Sequence, residues 1–271
     1  MKKIKWQTYK TIGIKEKYTY RYLSLEKLIH FLETGSIYLS RLDKFEDNLE
    51  GISPYEIKDL LSNSDNAQQN LIEKPHVVGE IWNSQIKKHK EIVKLIREKL
   101  IQNQKDKYVS CWILGDVESI GMWDLYGKNG FVIRFEKKTF QNLIKKNISH
   151  PRNINKNLEL IISGKVIYQN FDEMETMEKE SLLKYSVFRK HLSFKHEKEY
   201  RVVGYSKDSE TTGIEYFLGN PNQLDFQILT SPRMNKFTFD TYKKILLKYI
   251  NYTKISPSKL KIWLDLRNLE L

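Results

Sequence analysis

Strand-like "YTYRYL", Tyr18 to Leu23, gives way to "SLEKLIHFLETG", where Leu25, Leu28, Ile29 and Leu32 recur at helical spacing between a Ser24 N-cap and a Gly35 stop. "SIYLSRL" again reads as strand and "KFEDNLEG" as a polar turn. From about residue 54 to 104 the pattern is polar and helical, with Ile81, Trp82, Ile86, Ile92, Val93, Ile96 and Leu100 in step, which predicts a helical insertion on the side of a domain. "KYVSCWIL" predicts a short strand, "SIGMWDLYGKNG" a short helix ending at glycine, and "FVIRF" another strand. Further strands are expected at "GKVIY", "EYRVVGY", "IEYFL" and "FQILT", with a helix at "FDEMETMEKESLLKYSVFRKH". A late helix, "FTFDTYKKILLKYI", precedes a last strand around "KLKIWLDL". Short strands mixed irregularly with helices predict an α+β fold with mixed or antiparallel sheets flanked by helices, and not regular βαβ alternation. No internal repeat, proline-rich linker or low-complexity run divides residues 1–271, so a single domain is expected.

The stretch "FKHEKEYRVV" departs from a plain apolar strand. In extended chain Glu197, Glu199, Arg201, Val203 and Tyr205 share one face, and His196, Lys198, Tyr200 and Val202 the other. Both faces become apolar at the far end, which predicts a central strand entering the core from a polar mouth. Glu199 and Arg201 then stand where solvent gives way to packing. They form either an ion-pair network at a sheet end or a cleft glutamate, suited to general-base or oxocarbenium-stabilising chemistry, with an arginine tuning its ionisation. "FEDNLEG" poses the same choice: Asp47, Asn48 and Glu50 beside Gly51 make a sound turn, and also a loop able to line a cleft mouth.

Composition narrows the classes. A chain of 271 residues with 40% hydrophobic content is long enough to bury a core. The lone Cys111 excludes a disulfide framework, and no Cys/His pattern has structural-zinc spacing. A reducing, cytoplasmic setting without membrane insertion is expected, since no apolar run follows the basic start "MKKIKWQTYK" and none approaches spanning length. No dinucleotide-binding glycine fingerprint, P-loop, zincin or hydrolase elbow is present. His191, His196, Glu197 and Glu199 cluster, but two histidines five apart match no standard ligand spacing, so no metal is expected. The net charge of +12 suits a polyanion such as DNA, RNA or a nucleotide, and equally reflects a lysine-rich composition spread along the chain.

The succession "YRYLSLEKLIHFLETGSIYLSRLDKFEDNLEG", "YVSCWILGDVESIGMWDLYGKNGFVIRF" and "FKHEKEYRVV" resembles the bacterial domain-of-unknown-function family 2971 over roughly residues 20 to 230. More distantly, "YRYLSLEKL" and "EYRVV" are similar to the first strand and the catalytic-glutamate strand of the ADP-ribosyltransferase fold of DNA-modifying toxins. Arg21 stands where those toxins carry histidine, and Leu23 replaces a threonine. This resemblance implies NAD as substrate, cleavage of its nicotinamide–ribose bond, and transfer to a nucleic acid or protein acceptor, in a phage-defence setting. It also implies roles: Glu199 holding the ribose and deprotonating the acceptor, and Arg21 pairing with phosphate oxygens. Tyr22, Trp112, Trp123 or Tyr126 would stack on nicotinamide, Ser110 and Ser119 would supply hydroxyls, and Arg201 would complete the cofactor-binding set. Two rival expectations stand beside it: a non-catalytic nucleic-acid-binding or sensor module, and a metal-dependent nuclease using His196, Glu197 and Glu199.

Overall fold

A computed structural model describes residues 4–11, 13–53, 56, 62, 80–154, 156–170, 185–207 and 210–260. Its first half contains β1 (Lys5–Tyr9), β2 (Tyr18–Leu23), α1 (Leu25–Thr34), β3 (Ser36–Arg41), α2 (Glu80–Lys105), β4 (Lys107–Gly115) and α3 (Ile120–Tyr126). There follow β5 (Phe131–Glu136), α4 (Lys137–Lys146), α5 (Pro151–Ile154), β6 (Leu160–Lys165), β7 (Ile167–Gln169), β8 (Arg189–His191) and β9 (Glu199–Tyr205). The last described elements are β10 (Gly213–Phe217), β11 (Gln227–Thr230), α6 (Lys236–Leu246) and β12 (Ile255–Pro257). Among the described residues one 10-stranded mixed sheet runs β1-β6-β9-β4-β2-β5-β11-β12, with β3 and β10 as a branch, and β7 and β8 pair separately. The β1–β6, β11–β12 and β7–β8 pairs are parallel and the rest antiparallel, in keeping with an α+β fold.

The spine is β4. One edge pairs with β9 from Lys107↔Tyr205 to Ile113↔Glu199. The other edge is shared: β3 takes Tyr108 and Val109, β2 takes Ile113, Leu114 and Gly115. The sheet therefore forks beside Ser110, Cys111 and Trp112, because β2 continues into pairing with β5 while β3 pairs with β10. Residues paired across strands share a face, so the register defines two environments. On the inner face Trp112, Leu114, Ile133, Phe135, Tyr200 and Val202 form one core with Leu28, Phe31 and Leu32 of α1, Phe140 and Ile144 of α4, and Leu246 of α6. The Trp112 and Phe140 rings stand 4.2 Å apart, and each such fully buried aromatic contributes about 2 to 3 kcal/mol.

The opposite face holds two smaller apolar clusters instead of one. Tyr20, Tyr22, Met122, Trp123, Val132 and Leu229 make the first; Tyr9, Leu42, Val109, Ile162, Val187, Phe188 and Val203 make the second. Cys111 borders the second and Ile113 the first, so a polar strip on β4 and β9 runs between them.

Several local expectations are met. Gly35 ends α1 in the left-handed conformation at φ 66°, and the Ser119 hydroxyl caps α3 by accepting from Met122 N at 3.4 Å. Others are corrected. The Ser24 side chain does not cap α1 but bonds Glu26, leaving its carbonyl to accept from Leu28 N at 3.1 Å. The helix predicted over 171–191 lies outside the described residues up to 184. Beyond that, Ser186–Phe188 is a 3-10 turn and Arg189–His191 a strand, because burial of Val187 and Phe188 and parallel pairing with β7 override a helical pattern. "GKVIY" breaks at Val166, whose N–H donates to Glu199 O at 2.9 Å. The predicted strand around "KLKIWLDL" falls mostly outside the described residues, as does most of the predicted insertion before Glu80.

Candidate functional site

The strip between the apolar clusters holds five charged side chains. Leu192–Glu197 is a 3-10 helix, not the extended chain expected, and Lys198 takes the left-handed conformation at φ 45° before β9 begins at Glu199. That conformation is costly for a side chain with a Cβ. Here it turns Glu197 and Glu199 towards the same cation. Lys190 Nζ lies 2.7 Å from Glu197, 3.1 Å from Glu199 and 3.6 Å from Glu50. Arg201, with no solvent exposure, donates from Nε and Nη2 to Glu199 at 2.8 and 2.9 Å and from Nη1 to Glu50 at 2.7 Å and Val187 O at 2.6 Å. Gly51, at φ 71°, lets the chain bring Glu50 inward, since a Cβ there would strike Leu42.

Three carboxylates thus face two cations, leaving one negative charge in excess when all are ionised. The two β9-side carboxyls respond oppositely. Burial alone would raise Glu199, but the bidentate Arg201 and then Lys190 override it and hold Glu199 well below the usual carboxylate range. Burial pushes Glu197 up to about 7, and a hydrogen bond shared with Glu199 adds to that against the pull of Lys190. The pair exchanges one proton near neutral pH with Glu197 as its site, so the cluster gains its excess negative charge as pH rises through about 7.

Beside this cluster, across Cys111, lies Arg21. Its guanidinium sits in the fork of the sheet, donating to Ser110 Oγ and, at 3.1 Å, to Tyr38 O, and passing 5.7 Å from the Trp112 ring centre. By register Arg21 stands on the inner face, level with Ile133 of β5 and beside Ser110 and Trp112 of β4, whereas Cys111, Glu199 and Arg201 stand on the opposite face. Among the described residues none of its hydrogen bonds goes to a carboxylate, and burial lowers it to about 10, opposed by Cys111. The Cys111 thiol is raised by burial and then by Glu199. Arg21 and Glu199 do not touch: the β4 backbone separates the cation on one face from the carboxylate cluster on the other.

The other expected residues divide. Tyr126, 57% exposed at the end of α3, is near enough to the cluster that its hydroxyl is raised by burial and then by Glu197. Tyr168 accepts the Glu199 N–H at 2.8 Å. Trp112 and Trp123, by contrast, have no exposure and Tyr22 is buried, so none has a ring face open to nicotinamide. The Trp123 indole donates to Glu118 at 3.0 Å and stands edge-on to Tyr22, whose hydroxyl accepts from Ser119 N at 3.0 Å. Packing accounts for all three. Ser110 is buried under Arg21 and the Trp112 indole, Ser119 is the α3 cap, and Arg201 is saturated by carboxylates and not free for a ligand. Among the described residues no group of three or more His, Cys, Asp or Glu could hold a metal. The three carboxylates that do converge are bridged by Lys190 and Arg201, and His196 lies exposed, bonded to Ser193 O.

Lys190 falls within the stretch whose pattern predicts a helix, and nothing local in the sequence marks it as the partner of three carboxylates. Glu50 was singled out in a turn without its partner, Arg201, which lies 151 residues away. No curated protein and no solved structure matches the chain. Residues 122–202, from Met122 on α3 to Val202 on β9, match the family described as "Protein of unknown function (DUF2971)", and that stretch carries Tyr126, Lys190, Glu197, Glu199 and Arg201.

Proposed function

We propose that the chain is an ADP-ribosyltransferase-type enzyme that cleaves the nicotinamide–ribose bond of NAD and transfers the ADP-ribosyl group to a nucleic acid or protein acceptor, in the phage-defence setting the toxin resemblance implies. The observation that carries this reading is the convergence of Glu50, Glu197 and Glu199 on Lys190 and Arg201 with one carboxylate in excess, while Arg21, which has no carboxylate partner among the described residues, stands in the fork of the same sheet. NAD is a ligand of that polarity, with a cationic pyridinium at one end of a ribose and a pyrophosphate at the other. Arg21 suits the phosphate oxygens, for which a planar guanidinium is well shaped. Tyr126 is the one aromatic of the expected set with an exposed ring. When the C1′–N bond breaks, its electron pair leaves with nicotinamide and positive charge develops on the ribose. Glu199, kept ionised by Arg201 and Lys190, supplies fixed opposing charge. The acceptor nucleophile then bonds to C1′ and gives its proton to Glu197, whose pKa near 7 suits a general base.

The test is nicotinamide release from NAD by wild-type protein and by Glu197→Gln, Glu199→Gln and Arg21→Met, with DNA, RNA and lysate as acceptors. Wild-type release that drops at least about a hundredfold in Glu199→Gln supports the reading, that being the usual worth of a fixed charge aimed at the developing cation, while Glu197→Gln lowers transfer to the acceptor. Absence of release from folded wild type under every condition overturns it and favours the nucleic-acid-binding alternative.

A further inference from the structure

We infer that the acceptor is a nucleic acid, held along one flank of α2 and delivered to the Glu50–Glu197–Glu199 cluster. α2 is 26 residues long, which at 1.5 Å per residue spans about 39 Å. Lys87, Lys90, Lys94 and Arg97 are all exposed and follow one another at three, four and three residues, so they form a stripe on one flank. Exposed Glu98 lies 3.9 Å from Lys94 and exposed Glu91 falls on the same flank, so the stripe sets four cations against two carboxylates. Apolar Val93, Ile96 and Leu100 lie on the neighbouring, less exposed side, so the stripe is not the packing face of the helix.

The placement of that stripe ties it to the chemistry. At the carboxyl end of α2, Gln104 donates to Asn48 O at 3.0 Å and to Glu50 O at 2.9 Å, fastening the helix to the loop that supplies Glu50 to Arg201 and Lys190. On the other side of the same cluster the segment around Glu197 exposes Lys195, His196 and Lys198. Basic side chains therefore flank an acidic centre from both sides. A polyanion gains from contact with both flanks while the buried carboxylates stay shielded by Lys190 and Arg201. A repeating phosphate backbone is the partner that fits cations repeated along a straight helix. The inference rests on the proposed reaction for the transfer step and stands apart from it for binding.

Binding is measured by fluorescence anisotropy without NAD, on labelled single-stranded DNA and RNA of about 20 nucleotides and on polyglutamate of matched charge. With four phosphate contacts, single-strand affinity should fall about 50-fold between about 50 and about 200 mM salt. The quadruple variant Lys87→Gln, Lys90→Gln, Lys94→Gln, Arg97→Gln, on an exposed helix surface, should lose most of that salt dependence and at least about tenfold in affinity at low salt. A control that removes four charges from the inner-face helices, Lys138→Gln, Lys145→Gln, Lys146→Gln and Lys244→Gln, should bind within about twofold of wild type. Equal loss in both variants, or no binding at low salt, overturns the inference, and tighter binding to polyglutamate overturns it in favour of an acidic protein surface. Nicotinamide release without nucleic-acid binding leaves the proposed reaction standing and sinks only the acceptor.

Discussion

Glu197 is the residue on which stability and chemistry meet. Its folded pKa, raised to about 7, lies above the ordinary carboxylate value, so the folded protein binds more protons than the unfolded chain between those limits. Its contribution to stability is therefore full below the ordinary carboxylate range and is lost as pH rises through about 7. Glu199, held low by Arg201 and Lys190 against its burial, works in the other direction, with stability present above the ordinary carboxylate range and lost as pH falls towards its depressed value. Replacing Glu197 by Gln keeps the shape and removes the titration. Thermal unfolding followed from pH 5 to 8 should show wild type losing of order 2 kcal/mol over that range relative to Glu197→Gln, at about 1.4 kcal/mol per pKa unit less an allowance for partial solvation. Parallel curves for the two proteins would remove the proton from Glu197. Arg201→Met offers a second test, because it leaves Glu50, Glu197 and Glu199 with Lys190 alone. Urea unfolding should register a loss of about 3 to 5 kcal/mol, the usual cost of breaking a buried ion network from one side.

At the scale of elements, the fork in β4 separates structural residues from functional ones. Arg21 bridges β2, β3 and β4 through Ser110 and Tyr38 O, yet it brings a desolvated charge without a counterion among the described residues. Arg21→Met exchanges two hydrogen bonds for relief of that cost, so equilibrium unfolding should place it within about 1 kcal/mol of wild type, although nicotinamide release collapses. A large loss of stability would mark Arg21 as a structural strut. Ser119→Ala should behave inversely, losing about 1 kcal/mol with its α3 cap and keeping activity. This division explains what the sequence could disclose. The shared face of Glu199 and Arg201 was legible because strand alternation is local. Helix α1 with its Gly35 stop, and α3 with its Ser119 cap, were legible for the same reason. The 3-10 turn before Glu199 was not, because the left-handed Lys198 carries no sequence mark comparable to glycine. Nor was the burial of Trp112 and Trp123: an aromatic beside apolar neighbours reads alike whether it lines a cleft or fills a core, and which it does depends on distant Phe135, Phe140 and Tyr22.

Over the whole molecule, two kinds of charge coexist and salt tells them apart. Forty-six lysines and arginines against 34 acidic residues leave +12, mostly on side chains in water, where like charges repel across distances comparable to the screening length of about 10 Å at 0.1 M salt. Raising salt from about 0.02 to about 0.2 M shortens that length roughly threefold and weakens the repulsion. The melting temperature of wild type should therefore rise by a few degrees, equivalent to about 1 kcal/mol for a chain of this size. The buried network should not respond in this way, since ions do not reach Arg201, which has no exposure, or Glu199, at 3%. Arg201→Met should then melt lower than wild type by the same margin at both salt concentrations. A margin that shrinks with added salt would mean that the network is open to solvent, and the fixed negative charge invoked at Glu199 would lose the low-dielectric setting on which its strength depends.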